Sequence, residues 1–194
     1  MTILRSPEIE HRNDFAKLCN RRGLHRYAVE VGVERAEYSV KFRDAWNGDM
    51  LLCIDPWQKS VEGYGELRWE RESDYQMALA RLSRCERFVE VFRGTLDEAI
   101  QGSRIRRSID FLYLDADHSY EFMQDAIAKM WPLMAPHGIM AGHDFDVMYR
   151  GTIRAVAEHG ERVGVPIYTT HEVRFKSWYC YRHDQDLFGK EPKK

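Results

Sequence analysis

The chain is short of the features that mark exported, membrane-spanning or nucleic-acid-binding proteins. Its four cysteines, at positions 19, 53, 85 and 180, form no CxxC pair, and Cys53 and Cys180 fall inside strand-like runs. Buried free thiols are expected, in place of a disulfide framework or a zinc site, as suits a reducing cytoplasm. Formal net charge is only −2, so there is no bulk attraction to nucleic acid or an anionic membrane. Arg104, Arg106 and Arg107 cluster before a strand, and such a loop cluster reads as solvated surface. No apolar run is long enough to span a bilayer, and MTILRSPEIEH lacks the basic start, apolar stretch and cleavage site of an export signal. The expectation is a cytoplasmic protein without nucleic-acid or membrane partners. Repeats and low-complexity segments are missing too, and the glycine-rich GxGxxG turn that approaches a pyrophosphate does not occur: Gly32 is followed by Glu34 and Ala36, and a carboxylate there repels phosphates.

What is present fits one globular domain. Hydrophobic residues make up 44% and charged residues 31% of 194 positions, enough for one substantial core and too few positions for a second full domain. Ser6-Pro7-Glu8 reads as a helix start and Gly23 as its stop, giving an N-terminal helical extension over 1–26 that braces the sheet, with His11 its one chemical-looking residue. Strands are expected over Tyr27–Val33, Met50–Ile54, Arg87–Phe92, Ile109–Leu114, Gly138–Asp144, Val165–Thr169 and Val173–Tyr181. Helices are expected over Ala36–Trp46, Asp74–Cys85, from Leu96, from Ser119 to Pro136 and Gly138, and over Thr152–His159 with Gly160 as stop. Five strands alternating with helices predict a parallel sheet covered on both faces, within a main domain over 27–182. Too few residues separate the last two strands for a parallel crossover, so they form an antiparallel hairpin at a sheet edge. The loop between Gln58 and Arg71, with Gly63, Tyr64, Gly65 and Trp69, reads as a ligand cover or a cap on the core, and 183–194 as a polar tail.

The chain is organised around IDFLYLDADHSY, residues 109–120. A buried strand stops abruptly at Asp115, Asp117 and His118, at the edge where open α/β sheets bind ligands. Gly138–Asp144 ends likewise, in His143 and Asp144. If the two strands are neighbours, their polar ends face one another. Upstream, Glu30 interrupts an apolar strand, and a buried carboxylate requires a structural partner or a polar ligand. Asp55 ends the next strand, about twenty residues after the Gly32 turn, where doubly wound nucleotide-binding folds hold ribose hydroxyls.

Together these residues resemble the class I S-adenosylmethionine-dependent methyltransferases. The resemblance covers nearly the whole chain and implies a Rossmann-like α/β fold: a doubly wound, seven-stranded, mostly parallel sheet with one antiparallel strand near its end. Glu30-Val31-Gly32 with Ser39 resembles the first motif, Asp55 the acid that receives the cofactor's ribose hydroxyls, and Arg93-Gly94-Thr95 the segment near the adenine. Trp57 beside Asp55 and Asp115 joins the implied cofactor contacts. The branch most similar is that of small-molecule O-methyltransferases related to macrolide and aminocoumarin sugar methylation. It implies Asp115, Asp144 and the adjoining His143 as candidate ligands of Mg²⁺ or Mn²⁺, and Asp117, His118 or His143 as candidate base. Two departures stand out: Ala36 replaces a customary glycine, and His143 replaces a customary acid. Imidazole suits Mn²⁺, Fe²⁺ or Zn²⁺ better than Mg²⁺.

Methyl transfer from a sulfonium is an in-line displacement that needs alignment and exclusion of water. A hydroxyl acceptor also needs a lowered pKa and a base. Structural readings stand beside these: Asp115 and Asp117 as acids capping the following helix, and His118 bound to a loop carbonyl. The rival functions are a cofactor-binding module without catalysis, an NAD-dependent oxidoreductase and, more remotely, a metal-dependent hydrolase. The partner expected is a small-molecule acceptor, with a homodimer as the default assembly.

Overall fold

Among the described residues the apolar runs assemble into eight strands: β1 Ile3–Arg5, β2 Tyr27–Val31, β3 Met50–Asp55, β4 Val89–Arg93, β5 Ile109–Leu114, β6 Met134–Phe145, β7 Ile167–Thr169 and β8 Lys176–Tyr181. Between them lie α-helices α1 Phe15–Arg21, α2 Glu37–Ala45, α3 Arg71–Leu82, α4 Leu96–Gln101, α5 Tyr120–Met130 and α6 Arg150–Val163. This computed structural model describes residues 2–58, 71–106 and 108–183. The loop residues Gly63, Tyr64, Gly65 and Trp69, Arg107 and the tail beyond His183 lie outside the described residues.

The strands form one sheet in the order β1-β7-β8-β6-β5-β2-β3-β4. Strand β8 is antiparallel to both β6 and β7, and the remaining neighbours are parallel. Seven strands therefore run one way and one runs against them. Period-2 alternation divides the core: Val29, Val31, Leu112 and Leu114 face α4, α5 and α6, whereas Ala28, Phe111 and Tyr113 face α1, α2 and α3. Helices thus cover both faces, as the alternation of elements predicts.

The differences from the sequence reading have local causes. The expected seven strands become eight because Ile3–Arg5 pairs with Ile167–Thr169, so the hairpin of β7 and β8 is not the sheet edge. Ser6 starts no helix. Its backbone N–H donates to Thr169 O at 2.8 Å, and its hydroxyl accepts from Glu8 and Ile9 N–H at 3.2 and 3.0 Å, closing a turn that carries the chain off the sheet. A 3₁₀ turn at Arg12–Asp14, capped by the His11 ring, then leads into α1. Helix α5 ends at Met130, well before Pro136 and Gly138, which lie within β6 where its register to β5 slips. Helix α6 runs through Gly160, against which the Ile167 side chain packs, and stops at Gly164 in the left-handed region. None of the helices among the described residues is long and apolar enough to cross a membrane.

Candidate active site

The strand order reverses between β2 and β5, whose following helices α2 and α5 pack on opposite faces. A crevice opens at such a point beyond the carboxyl ends of the strands. Gly32 sits there at φ +90°, and a Cβ on it would lie 2.1 Å from Asp115 O. Only glycine lets the two loops approach this closely. The Asp115 N–H in turn donates to Val31 O at 2.8 Å.

On the β2–β3 side the polar groups serve the backbone. Asp55 is buried; its Oδ2 accepts from Val33 and Glu34 N–H at 2.9 and 3.0 Å, and its Oδ1 from Trp57 N–H at 2.8 Å. The clamped Glu34 and Trp57 sit in the left-handed region, at φ +49° and +42°, and so does Ala36 at +58°, its N–H donating to Val33 O. Ala36 occupies its unusual conformation without the glycine that the family resemblance led one to expect. The buried Trp57 ring donates from Nε1 to Glu34 O at 2.7 Å and packs on Tyr75. At the end of β4, Gly94 N–H donates to Asp55 O, and Thr95 caps α4 by a reciprocal exchange with Glu98. Glu30 and Ser39 lie deepest. Burial pushes the Glu30 carboxyl up to about 8, with the nearby Ser39 hydroxyl opposing the shift. Ser39 Oγ is itself fully buried and makes no well-formed hydrogen bond.

On the β5–β6 side, ionisable groups meet one another. His118 Nε2 lies 2.9 Å from Asp144 Oδ2, and His143 Nδ1 lies 3.3 Å from Asp144 Oδ1 and 3.6 Å from Asp115 Oδ1. Asp144 reaches this position through a bulge: Gly142 pairs with Trp178 and Phe145 with Lys176, so two residues of β6 oppose one of β8. Asp144 itself sits at φ +55°, a strained conformation for a residue with a side chain, of a kind that collects at functional sites. Burial disfavours charge on His143, but Asp115 and Asp144 outweigh it and raise the imidazole to about 9. Burial likewise opposes ionisation of Asp144, and His118 and His143 outweigh it, holding the carboxyl well below the usual range. A His143 that is protonated at neutral pH has no lone pair with which to take a further proton.

Oxygens of Asp115 and Asp144 and a ring nitrogen of His118 lie within 4.8 Å of one another, a donor set with the size and chemistry for a divalent cation. His143 flanks this set as a charge partner. Asp117 stands apart: it is exposed, and its Oδ1 accepts from Ser119 N–H at 2.7 Å in a local turn that leads to the Ser119 cap of α5.

Sequence reasoning missed Arg12. Its NH1 lies 3.4 Å from Asp115 Oδ2, its guanidinium lies over the Tyr38 ring at 5.3 Å, and its backbone N–H donates to Glu172 at 2.9 Å. The N-terminal segment is therefore more than a brace, since it brings a cation to the crevice. No local pattern marks a contact between residues 103 positions apart. Tyr149 was also missed; its ring lies 4.4 Å from that of His118.

No curated protein matches this chain in sequence. Solved structures resemble it in fold: an O-methyltransferase from Bacillus cereus in complex with SAH (14% identity, TM-score 0.62, 91% of this chain and 82% of that one); the O-methyltransferase NovP (17%, 0.64, 89% and 78%); and TomG from Streptomyces achromogenes in complex with SAM (14%, 0.59, 89% and 80%). A family model described as a methyltransferase domain matches residues 29–145, from β2 through β6, the segment that carries Glu30, Gly32, Asp55 and the whole Asp115–Asp144 cluster. That match spans more than half of the chain, which therefore belongs to the methyltransferase-domain family.

Proposed function

We propose that the protein transfers a methyl group from S-adenosylmethionine to a hydroxyl of a small molecule, with a divalent cation assisting. The observation that carries the reading is the convergence of Asp115, His118 and Asp144 at the ends of two adjacent strands, beside the crevice where the strand order reverses. Two structural relatives named as O-methyltransferases have SAH or SAM bound, which supports the cofactor.

The cofactor would supply an electrophilic methyl group. The residues of the β2–β3 side fit it: the buried Ser39 hydroxyl, which makes no well-formed hydrogen bond, and the raised Glu30 carboxyl offer an acceptor and a latent negative charge to its polar end. Gly32, Asp55, Trp57, Gly94 and Thr95 shape the loops around it, and Asp55 keeps lone pairs beyond those that its three backbone donors use. Asp115, His118 and Asp144 would hold the cation, and mixed oxygen and nitrogen donors favour Mn²⁺ over Mg²⁺. Such an ion lowers the pKa of an acceptor hydroxyl. His143 and Arg12 balance the charge of the two carboxylates and fix their orientation. With His118 in the cation's donor set, His143 protonated and Asp117 turned to Ser119 on the exposed side, the hydroxyl that the cation has made acidic would release its proton to solvent.

The test is transfer of labelled methyl from S-adenosylmethionine to a panel of hydroxyl, amine and carbon acceptors, with chelator and then with Mn²⁺ or Mg²⁺. The expected result is methylation of hydroxyl compounds that chelator suppresses and Mn²⁺ restores. Metal-independent transfer to amines alone would overturn the assignment.

A further inference from the structure

Beside the charged cluster lies an apolar feature that the chemistry above does not use. The loop between β6 and α6 and the loop between β7 and β8 expose Val147 (76%), Met148 (63%) and Val173 (94%). Isolated exposed apolar residues need no explanation, but these belong to one structure. Asp146 joins the loops: its Oδ1 accepts from Met148 N–H at 3.1 Å and its Oδ2 from Phe175 N–H at 3.3 Å. Arg174 NH2 lies 3.6 Å from Met148 Sδ, so the loop tips touch. The Tyr149 and Phe175 rings lie 6.1 Å apart, and Tyr149 packs on His118. Asp146 N–H also donates to Asp144 O at 2.9 Å, which makes the apolar lip continuous with the cluster that would face the reacting hydroxyl.

We propose that this lip receives the apolar body of the acceptor, with Asp146 as the residue that positions it. The acceptor class that follows is a hydroxyl compound with a flat or extended hydrocarbon body, in preference to a free sugar. Three arguments favour it. The lip is contiguous with the cluster through Tyr149, whose ring lies 4.4 Å from that of His118. The shared Asp146 keeps both loops in register, whereas tips with no common task need no common anchor. Exposed valine and methionine on loops lose hydration cost when an apolar surface covers them, at roughly 25 cal/mol per Å², and gain nothing from a polyhydroxylated one. Met148 supplies the adaptable contact and the rings a rigid one.

The inference deepens the methyltransferase reading and rests on it, so the test separates the two. Wild-type protein is titrated with S-adenosylhomocysteine first. The saturated protein is then titrated with 2,3-dihydroxynaphthalene and with methyl glucoside, both of which carry adjacent hydroxyls. The expected result is binding of the naphthalene diol at least tenfold tighter than the glucoside. The double variant Met148→Asp, Val173→Asp should lose about tenfold for the diol with its S-adenosylhomocysteine affinity unchanged. Asp146→Ala should raise KM for the diol more than it lowers kcat, and Asp146→Asn should recover part of the loss; a merely structural role would lower thermal stability without that split. Equal affinity for the two probes, or an unaffected double variant, would overturn the lip while leaving the methyltransferase intact. A wild-type dimer that the double variant converts to monomer would overturn it too, by making the lip a contact between copies. Failure to bind S-adenosylhomocysteine would overturn the reading on which the lip rests.

Discussion

The two sides of the crevice satisfy their polar groups in opposite ways. On the β2–β3 side Asp55 spends its carboxylate on three backbone N–H groups and so fixes a loop. On the β5–β6 side Asp115, His118, His143 and Asp144 satisfy one another, and a bulge with a strained residue holds them together. The first arrangement is a scaffold whose loss is felt in stability. The second is a mutual balance of ionisable groups whose members would exchange partners on entry of the proposed cation or acceptor, so its loss is expected to be felt in activity. That contrast is what substitutions can break.

The largest effect is expected for Asp144→Ala. Removal of one ligand from the cluster should lower activity by more than the roughly tenfold to hundredfold that follows loss of a partner outside the ligand shell, with cofactor affinity little changed. Steady-state kinetics and calorimetry on the same sample check both halves. Asp55→Ala should do the reverse at the level of the fold. Loss of three charge-assisted bonds, at roughly 1.5–3 kcal/mol each, costs on the order of 5 kcal/mol, read as a lower urea midpoint of the cofactor-free protein. If Asp55→Ala unfolded no more readily than wild type but lost only cofactor binding, the clamp would be secondary and the ribose role primary.

Glu30 gives a smaller, pH-dependent effect. Its folded-state pKa, about 8, is raised above the value of 4.5 for an unburied glutamate. Stability from this group is therefore fully present below pH 4.5 and is lost as pH rises through about 8, by on the order of a few kcal/mol. Glu30→Gln should flatten that slope in chemical denaturation between pH 5 and pH 8, to first order without regard to the β5–β6 cluster. The smallest effect is expected for Arg12→Ala. The pair with Asp115 is partly exposed, at 28% and 21% for the two side chains, and such pairs contribute about 1 kcal/mol or less. A thermal shift of a few degrees or less, with a measurable change in cation affinity, fits a cation that tunes Asp115 without holding the fold.

The division between the two sides also explains what the sequence could reveal. Buried parallel strands announce themselves as continuous apolar runs, and IDFLYL ending in DADH located β5 and its polar edge without any tertiary information. Asp115, His118, His143 and Asp144 were legible as a set because each closes a strand-like run, and neighbouring strands were the simplest way to pair those ends. Three features were hidden. Ile3–Arg5 is too short and too exposed to read as a strand; only its pairing with β7 makes it one. Arg12 approaches Asp115 because the chain leaves β1 through the Ser6 turn, a path that no local preference encodes. The clamp made by Asp55 was invisible because the residue that ends β3 looks the same whether its carboxylate faces a ribose or three backbone N–H groups. Asp117 shows the same ambiguity: an acid two residues before a capping serine suits a base or a turn, and contact geometry alone distinguishes them.

The central claim is that the β5–β6 cluster is a divalent-cation site beside a methyl-donor pocket. Its most direct test is calorimetric titration of Mn²⁺ into protein saturated with S-adenosylhomocysteine, for wild type and for Asp144→Ala. The account predicts one Mn²⁺ per chain in the wild type and its loss in the variant, with S-adenosylhomocysteine bound equally by both. Tight S-adenosylhomocysteine binding with no Mn²⁺ uptake by the wild type would contradict it, and would leave four side chains whose task is to satisfy one another.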